Sequence, residues 1–136
     1  MGGSRDLAHS RARPVVVVTM PAEIDVTNAD RIGGELSMAI ADGAGIVVAD
    51  MTGTTFCNSS GISMLVLGHR QAAAKGAELR LAVSAAAVLR ALKLVRMDSL
   101  LPIYPSLNAA LAPEAAPEPK LPAPIPAAAG AGRRPS

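Results

Sequence analysis

Short apolar runs alternate along the chain with longer stretches in which apolar residues recur at helical spacing. Residues 15–18 are all valine, and this β-branched run predicts a strand that ends at Pro21, because proline cannot continue a hydrogen-bonded ladder. Residues 45–50 form a nearly uncharged run that is typical of a strand buried on both faces. The alternation over residues 78–83 predicts another strand, and residues 100–104 a last short one.

The first predicted helix follows Thr27, which together with Asp30 resembles a capping box with aspartate in place of the usual glutamate. Its apolar residues at helical spacing are Ala29, Ile32, Leu36, Ala39 and Ile40. Gly33 and Gly34 are expected to weaken this helix by up to ~1 kcal/mol each relative to alanine, unless close packing on the sheet requires them. Gly43 is the predicted end of the helix.

A second helix is predicted from about residue 60 to residue 75, with Gly76 at its end. A helical wheel places the following residues on the face toward the sheet: Ile62, Leu65, Val66, His69, Ala72 and Ala73. Ser63, Met64 and Leu67 fall on the opposite face. A third helix, capped by Ser84, is predicted to carry Val88, Leu92 and Val95, and residues 106–111 to form a terminal helix.

This alternation, with short connections, predicts parallel strand pairing through right-handed crossovers. The expected fold is α/β, a single domain with a central, mostly parallel sheet of four to five strands and about four helices. The domain is expected to span residues 14–112. Residues 1–13 form an N-terminal arm that is either loose or an edge strand, and the Pro/Ala-rich residues 113–136 are expected to be a disordered or polyproline-like tail.

Composition excludes several classes of function. The formal charge of +2 originates in the ends of the chain, since residues 14–112 carry seven basic and eight acidic side chains, so a nucleic-acid-binding face is not expected. The lone Cys57 allows no intramolecular disulfide, and the chain has no signal-like or membrane-spanning apolar stretch, so a cytoplasmic location is expected. His9 and His69 are too scattered to suggest a metal site.

The segment from Asp50 to Gly61 joins the buried strand to the second helix and carries the candidate chemistry. Asp50 is expected at the carboxyl end of its strand, where open α/β sheets place ligand or partner sites. Ser59 and Ser60 would lie at a positive helix end, where a phosphate is tolerated, and Gly61 allows close backbone approach. The plainer alternatives are that the serines only cap the helix and that Asp50 only accepts loop N–H groups. Cys57 beside this loop is either redox-active or a buried, inert thiol.

The order of elements, the turn at residues 22–25 and the segment 56–62 resemble a STAS domain, and in particular the bacterial anti-sigma factor antagonists. The resemblance covers roughly residues 14–112. The chain departs from the family pattern at Asn58, where an aspartate usually precedes the serines. The amide keeps the shape and one acceptor oxygen, but it loses a charge and gains donors.

The resemblance implies a partner-switching protein and not an enzyme, with no cofactor of its own. Such an antagonist binds an anti-sigma factor that is also its serine kinase, and binding frees the sigma factor for transcription. Phosphorylation of the serine before the glycine, Ser60, would abolish binding, and a serine phosphatase would restore it. The partner surface would include Asp25 and the turn 58–61, that is Asn58, Ser59, Ser60 and Gly61. The helical wheel adds three residues of the outer helix face to this candidate surface: Ser63, Met64 and Leu67.

Two alternatives remain at this level. The first is a STAS scaffold of a stressosome-type or lipid-transport complex in which the serines are not modified. The second is a small nucleotide-binding or hydrolytic enzyme, which is disfavoured because the sequence contains no P-loop, no G-x-S-x-G motif and no metal-ligand set.

Overall fold

In the computed structural model, which describes residues 13–112, four parallel strands form the main sheet. The strands, in spatial order, are β1 (Val15–Thr19), β3 (Ile46–Met51), β5 (Glu78–Val83) and β6 (Ile103–Tyr104). A separate parallel pair consists of β2 (Glu23–Ile24) and β4 (Phe56–Cys57). The predicted parallel α/β sheet is confirmed, whereas the two-residue strands β2 and β4 were not predicted, because two residues are too few to produce a periodic pattern.

The described helices are α1 (Ala29–Ala41), α2 (Ser59–Ala74), α3 (Ala86–Leu94), α4 (Met97–Leu100) and α5 (Leu107–Leu111). Successive side chains of β3 lie on opposite faces of the sheet. Val47 and Ala49 share the main core with Leu36 of α1 and Leu65 of α2, while Val48 packs with α5 on the other face. The sheet is therefore covered mainly by α1–α4 on one face and by α5 on the other.

The predicted helix starts need correction. Asn28, not Thr27, is the N-cap of α1, and the Thr27 hydroxyl donates to the Asp25 carboxylate instead. Ala85 is the N-cap of α3, without any side-chain cap bond, so Ser84 does not cap this helix. Val95 lies beyond the end of α3 and is exposed. The Ser84 hydroxyl donates to the carbonyl oxygen of Pro105 at 3.4 Å, so both expected capping hydroxyls bond elsewhere.

Arg80 and Thr54 are the buried polar side chains among residues 13–112. The Arg80 guanidinium pairs with the Glu78 carboxylate at 3.2 Å and lies over the Tyr104 ring, with 5.7 Å to its centroid. It also donates to the carbonyl oxygens of Ala110 and Ala112, at 2.8 and 3.2 Å. These bonds tie the end of α5 to the sheet. The predicted tail, residues 113–136, lies outside the described residues, and so does the predicted arm, residues 1–13, except for Arg13.

The two adjacent glycines of α1 differ in what surrounds them. A Cβ at Gly33 would lie 3.1 Å from Cγ of Met64, whereas a Cβ at Gly34 would meet no atom within 4 Å. Close helix packing therefore accounts for Gly33 but not for Gly34. Gly43, which follows α1, has φ of +100°, a conformation that side-chain-bearing residues rarely adopt.

We expect Gly34→Ala to stabilise the domain by about 0.5–1 kcal/mol, because alanine loses less backbone entropy in a helix and fits without contact here. Urea denaturation monitored by circular dichroism measures the change. Gly43→Ala is the matched control, and its positive φ predicts a loss of about 1–2 kcal/mol. Shifts of the same sign in both variants would contradict this assignment.

Candidate functional site

The pairing of β2 with β4 brings the two candidate turns together although they are distant in sequence. Glu23 lies opposite Phe56, and the backbone N–H of Asn58 donates to the carbonyl oxygen of Ile24 at 3.1 Å. The N–H of Thr55 donates to the carbonyl oxygen of Ala22 at 2.8 Å. The turn that follows β1 is thus hydrogen-bonded to the segment that leads into α2.

The Asp25 turn is held by its own polar side chains. The Asp25 carboxylate accepts hydrogen bonds from the hydroxyl and the N–H of Thr27, at 2.5 and 2.9 Å. Both bonds lower the pKa of Asp25 below its ordinary value, and the bond from the Thr27 hydroxyl has the larger effect. The carboxylate is therefore ionised at neutral pH. The Asn28 side chain accepts from the N–H of Asp25 and donates to the carbonyl of Glu23. A role of Asp25 in partner binding stays a prediction.

Asn58, not a serine, caps α2. Its side-chain oxygen accepts from the N–H groups of Ser60 and Gly61, at 2.9 and 3.4 Å. The amide therefore performs the capping role that an aspartate would perform, and the interpretation of Ser59 and Ser60 as caps is wrong. Ser59 is exposed and Ser60 half-exposed, and neither hydroxyl makes a hydrogen bond to residues 13–112. Both hydroxyls are thus available at the helix start.

Gly61 is where α2 approaches the β2–β4 pair. A Cβ there would lie 2.6 Å from Sγ of Cys57 and 2.7 Å from Cγ2 of Ile24, closer than real Cβ contacts allow. The predicted close backbone approach at Gly61 is confirmed. This contact sets the height and orientation of the first helical turn, and therefore the position of Ser60.

Cys57 and Asp50 support their plainer interpretations. The Cys57 thiol is buried, and burial raises its pKa to about 11, so it is neutral at pH 7. The Asp50 carboxylate accepts from the N–H and the hydroxyl of Thr52, at 3.1 and 2.7 Å, which makes it an acceptor that shapes the loop.

The predicted outer face of α2 is only partly correct. Ser63 is exposed and Leu67 is 56% exposed, as expected, but Met64 is only 7% exposed and packs in the core beside Gly33. The wheel considered only the sheet as a burying surface, whereas α1 covers the Met64 side of α2. Ala73, predicted to face inward, is exposed.

Val26, which the sequence pattern did not single out, is 74% exposed in the Asp25 turn. The available signal was a large apolar residue inside a polar, predicted loop, where no periodic pattern explains it. Within residues 13–112, no group of three or more His, Cys, Asp and Glu side chains could hold a metal ion. None of the described helices is long and apolar enough to cross a membrane.

We expect Asn58→Ala to destabilise the domain by about 0.5–2 kcal/mol, because two N–H groups lose their acceptor. Asn58→Asp should match or exceed the wild type, since it keeps the acceptor and adds a charge that the helix dipole favours. Urea denaturation measures both, and Ser59→Ala, which removes no cap bond, is the control. A loss in Asn58→Asp equal to that in Asn58→Ala would reject the capping role.

Cys57 should react slowly with an aromatic disulfide reagent at pH 7 in the native protein and rapidly in guanidinium chloride, because the native thiol is buried and neutral. The absorbance of the released thiolate measures both rates. Equal rates in the two conditions would show that the thiol is accessible and would revive the redox interpretation.

Comparison with known proteins gives a consistent result. The family model of the STAS domain matches residues 8–110. The chain is similar to an anti-sigma factor antagonist from Mycobacterium paratuberculosis whose crystal structure is known. The two sequences are 26% identical, and the structures superpose with a TM-score of 0.66 over 71% of this chain and 82% of the antagonist. A search of curated protein sequences finds no significant match.

Two further crystal structures share the fold. A Thermotoga maritima protein provisionally described as an anti-sigma factor antagonist is 20% identical with a TM-score of 0.63, over 75% of this chain and 93% of that one. An anti-sigma-factor antagonist (STAS) domain protein from Planctomyces limnophilus is 22% identical with a TM-score of 0.61, over 69% and 84%. The family match and the shared architecture lead to one conclusion: the chain belongs to the STAS domain family.

Proposed function

We propose that this protein is an anti-sigma factor antagonist that binds an anti-sigma factor serine kinase and is released from it by phosphorylation of Ser60. The likeness to the Mycobacterium paratuberculosis antagonist supports the general role. The observation that carries the site is the half-exposed Ser60 hydroxyl on the first turn of α2, which makes no hydrogen bond to the described residues while Asn58 holds its backbone N–H.

The proposal makes the chain a regulatory substrate and not an enzyme. The kinase would supply ATP and magnesium, and a serine phosphatase would return Ser60 to its binding form. The chain itself needs no cofactor for this role. Regulation of sigma-factor-dependent transcription would take place in the bacterial cytoplasm.

The location of Ser60 separates the effect of a phosphate on folding from its effect on binding. A phosphoserine carries about −1.5 to −2 charges at neutral pH. At a helix N-terminus this charge is favourable by about 0.3–2 kcal/mol, so the phosphorylated domain should remain folded. Asn58 in place of aspartate also removes one negative charge that would repel the phosphate.

At the contact surface the same charge is unfavourable. The phosphate must lose water when the partner covers it, and the ionised Asp25 carboxylate, in the adjoining turn, adds to the local negative charge. A loss of about 3 kcal/mol weakens binding more than a hundredfold. The switch would therefore act through the interface and not through unfolding.

The experiment uses the full chain and each purified anti-sigma factor serine kinase encoded by the source genome. Calorimetry should show that Ser60→Ala binds like the wild type and that Ser60→Asp binds at least about a hundredfold more weakly. Incubation with ATP and magnesium, followed by peptide mass spectrometry, should place the phosphate on Ser60.

Ser59→Ala and Ser59→Asp are the matched controls, since Ser59 lies on the same helical turn but precedes the site. Thermal melting must show that every variant is folded. Equal affinity of all Ser60 variants would reject the switch and favour a STAS scaffold whose serines are not modified. A phosphate on Ser59 instead of Ser60 would also contradict the assignment.

A further inference from the structure

A groove between α1 and α2 extends from Ser60 along the faces of both helices. Two adjoining cavities of about 240 and 340 Å³ form it, and both are lined by Ala29, Asp30, Met64 and Leu67. Ser60 lies at the end of the larger cavity. We call this feature the α1–α2 groove.

Missing side chains create the groove. Gly34 lines the smaller cavity, and a Cβ at this position would meet no atom within 4 Å. Gly33 and Gly68 allow the helices to approach, since a Cβ at either would come within 3.2 Å of a side chain on the opposite helix. Met64 is buried between the helices and forms the floor.

Two large apolar side chains lie on the rim of the groove. Val26 and Leu67 line the larger cavity and are 74% and 56% exposed. Single exposed apolar residues are common on protein surfaces, but here they flank a concave surface with an apolar floor. Such a surface fits a large apolar side chain presented by a helix.

The groove has one charged lining residue. Asp30 lines both cavities, and its carboxylate makes no hydrogen bond or ion pair with residues 13–112. The next residue, Arg31, instead pairs with Glu35 at 3.5 Å. A partner that covers the groove must therefore place a cation opposite Asp30 or leave a carboxylate unpaired as it loses water.

We propose that the α1–α2 groove receives a large apolar side chain from an amphipathic helix of the kinase, and that a lysine or arginine of the same helix pairs with Asp30. The inference rests on the proposed function and extends its interface from the N-terminus of α2 to the glycine face of α1. It also gives the switch a physical route. A phosphate on Ser60 brings its bound water to the mouth of the groove, so the apolar side chain cannot enter without removing that water.

Gly34→Leu tests the groove directly. The position has room for a side chain, and leucine is a good helix former, so the variant should fold while covering the groove. Calorimetry with the purified kinase should show at least about tenfold weaker binding than the wild type, and Gly34→Ala, which adds only a methyl group, should bind normally.

Two further variants keep the test decisive if Gly34→Leu does not fold. Leu67→Ser removes an apolar side chain from the rim and should weaken binding about fivefold or more. Leu94→Ser on α3, where the leucine is 78% exposed against 56% for Leu67, should not weaken binding. Asp30→Asn should weaken binding most at low salt, because the lost ion pair is screened at high salt.

The outcomes separate this inference from the proposed function. If Gly34→Leu and Leu67→Ser bind like the wild type while Ser60→Asp releases the kinase, the groove is rejected and the phosphorylation switch stands. If both groove variants lose the kinase while all Ser60 variants bind equally, the groove is supported and the switch is rejected. If no kinase binds the wild-type chain, both proposals are overturned.

Discussion

The backbone of α2 at Gly61 lies so close to Ile24 and Cys57 that a methyl group there would come within 2.7 Å of both side chains. This contact joins the start of α2 to the β2–β4 pair, and the pair in turn joins two turns that the chain separates by about thirty residues. The positions of Ser60, Asn58 and the Asp25 turn all depend on it. The β2–β4 pair and its contact with Gly61 therefore hold the candidate site in place.

The site combines a fixed backbone with a free side chain. Asn58 satisfies the N–H groups of Ser60 and Gly61, while hydrogen bonds from Thr27 hold the Asp25 carboxylate ionised. The Ser60 hydroxyl has no such partner among the described residues. A modification of that hydroxyl would change the surface charge without removing any bond that stabilises the domain, which is the property that a reversible binding switch requires.

The same principle of close approach shapes the surface beside the site. Glycines on both α1 and α2 allow the two helices to pack closely, so that Met64 is buried between them. A shallow groove remains between the helices and begins at Ser60. Because Ser60 lines one of the two cavities, a partner that covers the serine would also reach the groove. Apolar contact and charge would therefore act at the same interface, the first giving affinity and the second its control.

The local sequence determined the strands of the main sheet, the order of the main elements and the positions of the main helices, because strand and helix periodicity are properties of neighbouring residues. Glycine at position 61 indicated a close backbone approach, but only the fold shows that Ile24 and Cys57 are the side chains it approaches. The local sequence also pointed to the serine pair as the place to look. Tertiary structure decided that Asn58 and not a serine caps α2, that Thr27 bonds Asp25, and that Met64 is buried. A helical wheel places Met64 on the face away from the sheet, yet α1 packs against it. The periodicity of the α2 sequence cannot indicate this packing, because α1 comes from another part of the chain. The groove next to Ser60 also depends on tertiary structure, since it forms between two helices that are separate in the sequence.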